Sequence, residues 1–290
     1  MHGKKMTAFD YINGTLLITL SLVTLYPLWY VLINSFLNYE DSMRFAALWW
    51  PSSFSLSSYS TIFQNSMLVN GFILSIFRTV VATTVHVLFT SMVAYALSKP
   101  YLIGRQFHLR FGLITMLFSG GLIPTFVLYY RIGLYDNFLV YVLPAMFSYY
   151  NMLIFRTFFR GMPASMEESA TIDGAGTLRT FFSVVLPNAK AVTATIALYA
   201  IVYHWNDFFI GYIFVRSPQL KPLQTVLYRI INENIGNQMQ KQVMNSMGYK
   251  VSANSIKYAA MMTATLPVLA VYPFLQKYLV KGVMLGAIKE

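Results

Sequence analysis

His204-Trp205-Asn206-Asp207 sits inside an otherwise apolar run. An amide, a carboxylate and an aromatic ring side by side bind hydroxyl-rich ligands by hydrogen bonding and stacking. The same groups also serve hydrogen bonding between packed apolar helices, and both readings stay open. A second polar stretch, Met166-Glu167-Glu168-Ser169-Ala170, leads to Asp173-Gly174 and on to Leu186-Pro187. Its two carboxylates fall where a first helical turn favours negative charge. Other chemistry is missing. No G-x-x-x-x-G-K-[ST] occurs, so this chain does not hydrolyse ATP by itself. Gly174-Ala-Gly176 begins like a dinucleotide fingerprint, but Arg179 takes the third glycine position and no strand precedes it. The spacing of His2, His86, His108 and His204 supports no metal site, and the lack of cysteine excludes disulfides and iron–sulfur clusters. The expectation is a non-catalytic chain with no metal or cofactor of its own.

The elements that position these residues follow from the solvent. Of 290 residues, 57% are hydrophobic and 11% charged, with mean hydropathy +0.54. Soluble domains carry about 25% charged residues, so the missing charge points to lipid. Several runs reach the ~20 residues that cross a bilayer, and they lack the alternation of a barrel. The fold class is therefore an all-α integral membrane protein, one domain over residues 1–290. The net charge of +11 lies largely in short loops, which argues topology rather than nucleic acid.

Six spans are expected. Span 1 covers residues 11–36 and should bend at Pro27. Residues 37–65 follow, with Trp49-Trp50-Pro51 as an outer interface anchor. Span 2 covers 67–97 and holds Arg78 and His86; an intramembrane arginine faces protein or water, or snorkels to the outer end. The basic loop 98–110 is cytoplasmic. Span 3, residues 111–130, contains Gly120-Gly121 and Pro124, where a helix breaks or packs closely. A tight turn at 133–136 precedes span 4, residues 138–158. Span 5 covers 189–215, the outer loop 216–257, span 6 258–280, and a tail closes the chain. Inner segments hold twelve Lys and Arg against eight outside, which puts both termini in the cytoplasm.

Between spans 4 and 5 a cytoplasmic bracket is expected over residues 159–190. Pro163 suits a first helical turn, Gly174 suits a left-handed turn after the helix, and Thr177 suits the cap of a second helix. Pro187 begins a new segment. Met166, Ala170 and Ile172 would face a partner.

Glu168-Ser-Ala, Gly174 and Val184-x-Leu186-Pro187 resemble the EAA loop of ABC-importer permeases. That loop reads Glu-Ala-Ala, three residues, Gly, nine residues, Ile-x-Leu-Pro. The spacings agree throughout, with Ser169 for the first Ala and Val184 for Ile. The stretches 118–126, 204–206 and 276–289 are similar to sugar-importer permeases, most of all those for oligo- and polysaccharide fragments, including alginate- and pectin-type importers.

The resemblance implies a coupling helix docked on an ATPase, with Met166, Glu167, Glu168, Ser169, Ala170, Asp173, Gly174, Leu186 and Pro187 as coupling residues. It also implies a sister permease, two ATPase subunits carrying ATP and Mg, an extracytoplasmic sugar-binding protein, alternating access and a bacterial inner (plasma) membrane. His204, Trp205, Asn206, Asp207, Gly120 and Gly121 are the candidates for the substrate pathway. A stand-alone ion-coupled transporter, or a membrane enzyme acting on lipid-linked sugars, is the other class. Asp207 would serve it as the single acidic residue deep in a span, with no basic partner evident in the sequence. The outer loop breaks the inner bias with Arg216, Lys221, Arg229, Lys241, Lys250 and Lys257 against Glu233. Such a surplus would attract acidic sugars or dock an acidic binding protein.

Overall fold

The computed structural model describes residues 7–44, 49–51, 54–233, 238–239, 241 and 251–287. Asn234, Asn237, Asn245, Lys4, Lys5, Lys250 and Lys289 lie outside the described residues, as do the side chains of Arg44, Lys277 and Lys281. The α-helices of the described residues follow in the order α1 Ala8–Ser35, α2 Tyr39–Arg44, α3 Ser57–Gln64, α4 Ser66–Ser98, α5 Arg105–Leu117, α6 Leu122–Arg131, α7 Tyr149–Arg160, α8 Ser165–Ile172, α9 Thr177–Thr180, α10 Leu186–Asn188, α11 Lys190–Asn206, α12 Phe209–Ile213, α13 Leu223–Asn232 and α14 Ala253–Ala287. Among the described residues α1 and α4 are long and apolar enough to cross a bilayer; counting each bent pair, α5–α6 and α9–α12, as one crossing gives four.

The chain forms two compact units, Met1–Val69 with Leu227–Leu266 and Asn70–Val226 with Pro267–Glu290. In the first, α1 starts at Thr7, whose backbone N–H donates to Asp10 Oδ2 at 2.8 Å. Only 6% of the most apolar window of α1 is buried. A helix apolar on all sides and uncovered by its own chain needs lipid or a partner around it. Its few hydroxyls are hidden by bonding back along the helix, Thr15 to the Tyr11 carbonyl and Ser21 to that of Leu17. Trp29 Nε1 donates to the Trp49 carbonyl at 2.9 Å, and Tyr26 packs on Trp49. Trp49 and Trp50 remain exposed beside this aromatic group, as an interface anchor requires.

In the second unit the expected spans 3, 4 and 5 are interrupted. Between α5 and α6 the chain bends by 113°. Gly121, at φ +85°, supplies a conformation that residues with a Cβ avoid. Span 4 is not one helix: a 3₁₀ turn at Phe138–Tyr141 and a stretch of turns precede α7, which has only 12 residues. Pro144 disfavours helix at the residue before it. Ser148 then restarts the helix, its Oγ accepting from the Asn151 N–H. Span 5 ends early, because α11 stops at Asn206 and Asp207 is extended.

The tight turn after α6 matches expectation. Gly133 and Asp136 both have positive φ. Asp136 accepts from the N–H groups of Ser217 and Arg216 at 2.8 and 3.0 Å and from Ser217 Oγ at 2.7 Å. These donors hold its carboxyl below the usual range, the Ser217 backbone first.

Candidate functional site

Each interruption exposes backbone groups that a water-free interior cannot satisfy. One face of α4 meets them. Ser75, Arg78, Ala82, His86 and Thr90 recur at helical spacing and all are buried. Ser75 Oγ accepts from the Leu223 N–H at 2.8 Å. Thr90 Oγ1 donates to the Met146 carbonyl at 3.2 Å, and His86 Nδ1 lies 2.7 Å from the Ala145 carbonyl, both in the gap before α7. Arg78, 0% exposed, serves the gap between α11 and α12. Its Nη1 donates to Asp207 Oδ2 at 3.1 Å, and its Nη2 to the carbonyls of His204 and, at 2.9 Å, Asp207. The Tyr141 ring lies 4.8 Å from the guanidinium carbon. Asp207 Oδ1 meanwhile caps α12 by accepting from the Phe209 and Ile210 N–H groups.

The lone-carboxylate reading of Asp207 is therefore corrected: its partner is Arg78, 129 residues away in sequence. The other candidates of that cluster separate. His204 and Trp205 are buried, with Trp205 edge-on to Phe72 at 6.0 Å. Asn206 is exposed, and its amide donates back to the Val202 carbonyl at 2.9 Å. Gly120 and Gly121 are exposed at the α5–α6 bend and are not lining residues of the cavity beside His204.

The bracket expected over residues 159–190 is present as two short helical segments joined by a turn. α8 carries Glu167 and Glu168 in its first turn, and Gly174 turns the chain at φ +75°, as expected. Three details differ. Thr177 is the first helical residue and makes no cap bond; Gly176 takes the cap position. Residues 177–188 run on as α9, a π-helical turn Phe181–Val185 and α10, so the sharp break of 85° comes at Ala189 rather than at Pro187. Met166, Ala170 and Ile172 do not share a surface. Ile172 is 86% exposed, Met166 is half-buried and Ala170 is buried at 9%, in the helix that packs on the π turn.

The two glutamates also divide. Glu168 is exposed, as are Ser169 and Asp173. Glu167 turns inward to the end of α4, where it pairs with Lys99 and accepts from Tyr95 Oη at 2.9 Å. Lys99 Nζ lies 4.2 Å from the Tyr95 ring centre. Arg156 Nε adds a bond from α7 to the Leu97 carbonyl at 3.0 Å. α8 is thus tied to the end of α4 by a charged link. Replacing Glu167 with Gln keeps an acceptor for Tyr95 but removes the charge from Lys99. A partly buried charged contact is worth about 1–2 kcal/mol, enough to loosen α8 and too little to unfold the chain. The expected result is normal membrane insertion with less uptake per ATP hydrolysed, read on matched amounts of purified complex.

Ser75, Thr90 and Tyr95 do not stand out in the sequence, and Lys99 reads there only as part of the basic loop 98–110. The signal was present as polar residues at three- and four-residue spacing in an apolar helix. Without the gaps they fill, they read as ordinary minor polarity.

The family model for "Binding-protein-dependent transport system inner membrane component" matches residues 7–285. The chain belongs to this family. The permease is 36% identical over 98% of its length to the polygalacturonan/rhamnogalacturonan transport system permease protein YtcP of Bacillus subtilis, covering 99% of that protein. It is also 36% identical to Protein LplC of the same organism, over 100% of its own length and 98% of LplC's. Among solved structures it is similar to a bacterial ABC transporter involved in the import of the acidic polysaccharide alginate, with TM-score 0.88 and 28% identity, covering 95% of the permease and 99% of that chain. The permease is an inner-membrane transport component and not itself a catalyst.

Proposed function

We propose that this permease carries oligosaccharides of the acidic, pectin or alginate type into the cell, as one half of a heterodimeric pathway. It crosses the membrane six times as a single domain, with both termini cytoplasmic. The α5–α6 pair counts as one bent crossing, the 3₁₀ turn with α7 forms the fourth, and α11 with α12 forms the fifth. Residues 159–190 dock on one of two ATPase subunits that bind ATP and Mg, and an extracytoplasmic sugar-binding protein delivers the substrate. Exposed Glu168, Ser169, Ile172 and Asp173 make the docking face. Glu167, Ala170, Gly174, Leu186 and Pro187 transmit the motion, with Met166 between the two groups. His204, Trp205, Asn206 and Asp207 belong to the pathway wall, and Gly120 and Gly121 to its bend.

The observation that carries this reading is the full-length match to a permease named for polygalacturonan and rhamnogalacturonan transport. Family membership and the engagement of Asp207 by Arg78 both count against a stand-alone ion-coupled carrier or lipid-linked-sugar enzyme. A basic outer loop fits acidic sugars or an acidic binding protein, with Arg229 already paired to Glu233 at 2.7 Å. The test is uptake into vesicles holding permease, sister subunit and ATPase, with binding protein outside. Galacturonate oligomers should enter only with ATP inside and should outcompete carboxyl-reduced oligomers. Equal entry of both would overturn the acidic-substrate assignment; entry without the ATPase would overturn the ABC mechanism.

A further inference from the structure

Three arginines meet where α4 ends, α5 begins and α7 runs out. Arg156 Nε donates at 3.0 Å to the Leu97 carbonyl, one of the terminal carbonyls that a helix cannot satisfy internally. This bond orients the guanidinium and leaves both Nη groups for another acceptor. Arg105, the first residue of α5, and Arg160, the last of α7, stand close enough for their like charges to act on Arg156, and no carboxylate offsets them there. Among the described residues the ion pairs are Arg78–Asp207, Lys99–Glu167 and Arg229–Glu233, so none of the three has an acidic partner. Arg105 and Arg156 are half-buried and Arg160 is exposed.

Like charges crowded in this way repel, and the repulsion is relieved when an anion sits among them. Guanidinium groups hold phosphate oxygens by paired N–H bonds, so a phosphate suits the cluster. The surface beside it is apolar. Leu113 and Met116 lie on the Arg105 side of α5, about two and three turns further along, and both are exposed. Phe107 and Phe111, stacked on each other, are exposed on another side of the same helix. A phosphate that carries acyl chains fits the arginines and the apolar flank together, whereas a free phosphate fits the arginines alone.

We propose that Arg105, Arg156 and Arg160 form a binding site for the phosphate of an anionic phospholipid, whose chains lie along the Leu113 and Met116 side of α5. The site requires that α4 and the α5–α6 pair cross the bilayer, and it is independent of the sugar carried. From Arg160 the chain passes through Pro163 into α8. A bound headgroup therefore pins the start of α5 to the base of the bracket.

The test uses the complete complex in detergent, with native mass spectrometry and two probes, phosphatidylglycerol and phosphatidylcholine of identical chains. The wild type should retain phosphatidylglycerol about tenfold more strongly. Arg105→Gln with Arg160→Gln, which leaves the Arg156 bond to α4 in place, should abolish that preference. Arg110→Gln with Arg131→Gln removes as much charge elsewhere and should leave it intact. Equal retention of the two lipids by the wild type would overturn the site. So would an equal loss in the Arg110 and Arg131 variant, which would reduce the preference to net charge. Displacement of the lipid by inorganic phosphate at matched concentration would make this a free-phosphate site instead. Loss of the ATPase subunits from the Arg105 and Arg160 variant, with lipid preference unchanged, would make it a protein contact. A second measurement needs no variant: phosphatidylglycerol with a photoreactive group near the headgroup should label α5 and α7 of the wild type, and labelling spread evenly over the other helices would overturn the proposal. None of these readouts involves sugar, so the site and the transport function fail separately.

Discussion

Replacing Arg78 with Met is expected to remove most of the assembled complex from the membrane. The change leaves the Asp207 carboxylate without its cation and strips the donor from the carbonyls of His204 and Asp207. Removing one partner of a buried pair costs about 3–5 kcal/mol, and each buried acceptor left bare adds about 1–3. Those sums compare with the roughly 5–15 kcal/mol that holds a typical domain folded. Asp207→Asn alone should be milder. An asparagine oxygen can still cap α12 at the Phe209 and Ile210 N–H groups, and Arg78 keeps its two carbonyls. The informative variant is the double, Arg78→Met with Asp207→Asn. It should be more stable than Arg78→Met by about 2 kcal/mol, because the orphan charge has gone while the cap remains. Monodisperse complex surviving a heating series in detergent measures this. If the two substitutions prove additive, the pair is not what closes the gap between α11 and α12.

Gly174→Val is expected to leave a normal amount of inserted, paired permease that no longer converts ATP hydrolysis into uptake. A Cβ at position 174 meets nothing within 4 Å, so the effect is purely one of backbone conformation. At φ +75° a residue with a Cβ costs about 1 kcal/mol, and a β-branched one more. That strain is small against the fold and large against the bracket, whose turn is closed by the Gly174 and Ala175 N–H groups on the carbonyls of Thr171 and Ala170. Relaxing φ breaks those bonds and swings α8 relative to α9. Ile172 and Glu168, the proposed docking face, then lose their register, while Glu167 still grips Lys99. Uptake per ATP should fall at least tenfold. Glu168→Ala should follow the same direction more weakly, losing one exposed charge and some helix-dipole stabilisation. ATPase retention on purification and sugar uptake per ATP, at matched expression, are the measurements. Full coupling in Gly174→Val would reduce the bracket to a connector.

The sequence by itself determined the solvent, the helical class and the bracket. Each rests on local chemistry: too little charge for water, apolar runs of bilayer length, and a Pro–Glu-Glu–Gly order that starts and stops a short helix whatever surrounds it. The left-handed turn at Gly174 was legible for the same reason. The interruptions were legible only in part. Gly120-Gly121 announce a bend, whereas Pro144 and Ser148, which also mark a helix boundary, lie inside an apolar run that reads as one span. The tertiary structure decided which polar groups answer which gaps. Arg78 and Asp207 look like two unrelated costs in the sequence, because 129 residues separate them. Only packing brings α4 alongside the α11–α12 break and makes one cation serve a carboxylate and two carbonyls. Packing likewise split Glu167 from Glu168 and turned Ala170 inward. Their neighbours on the helix are fixed by the sequence, but which side of the helix faces the rest of the protein is fixed by what α8 packs against.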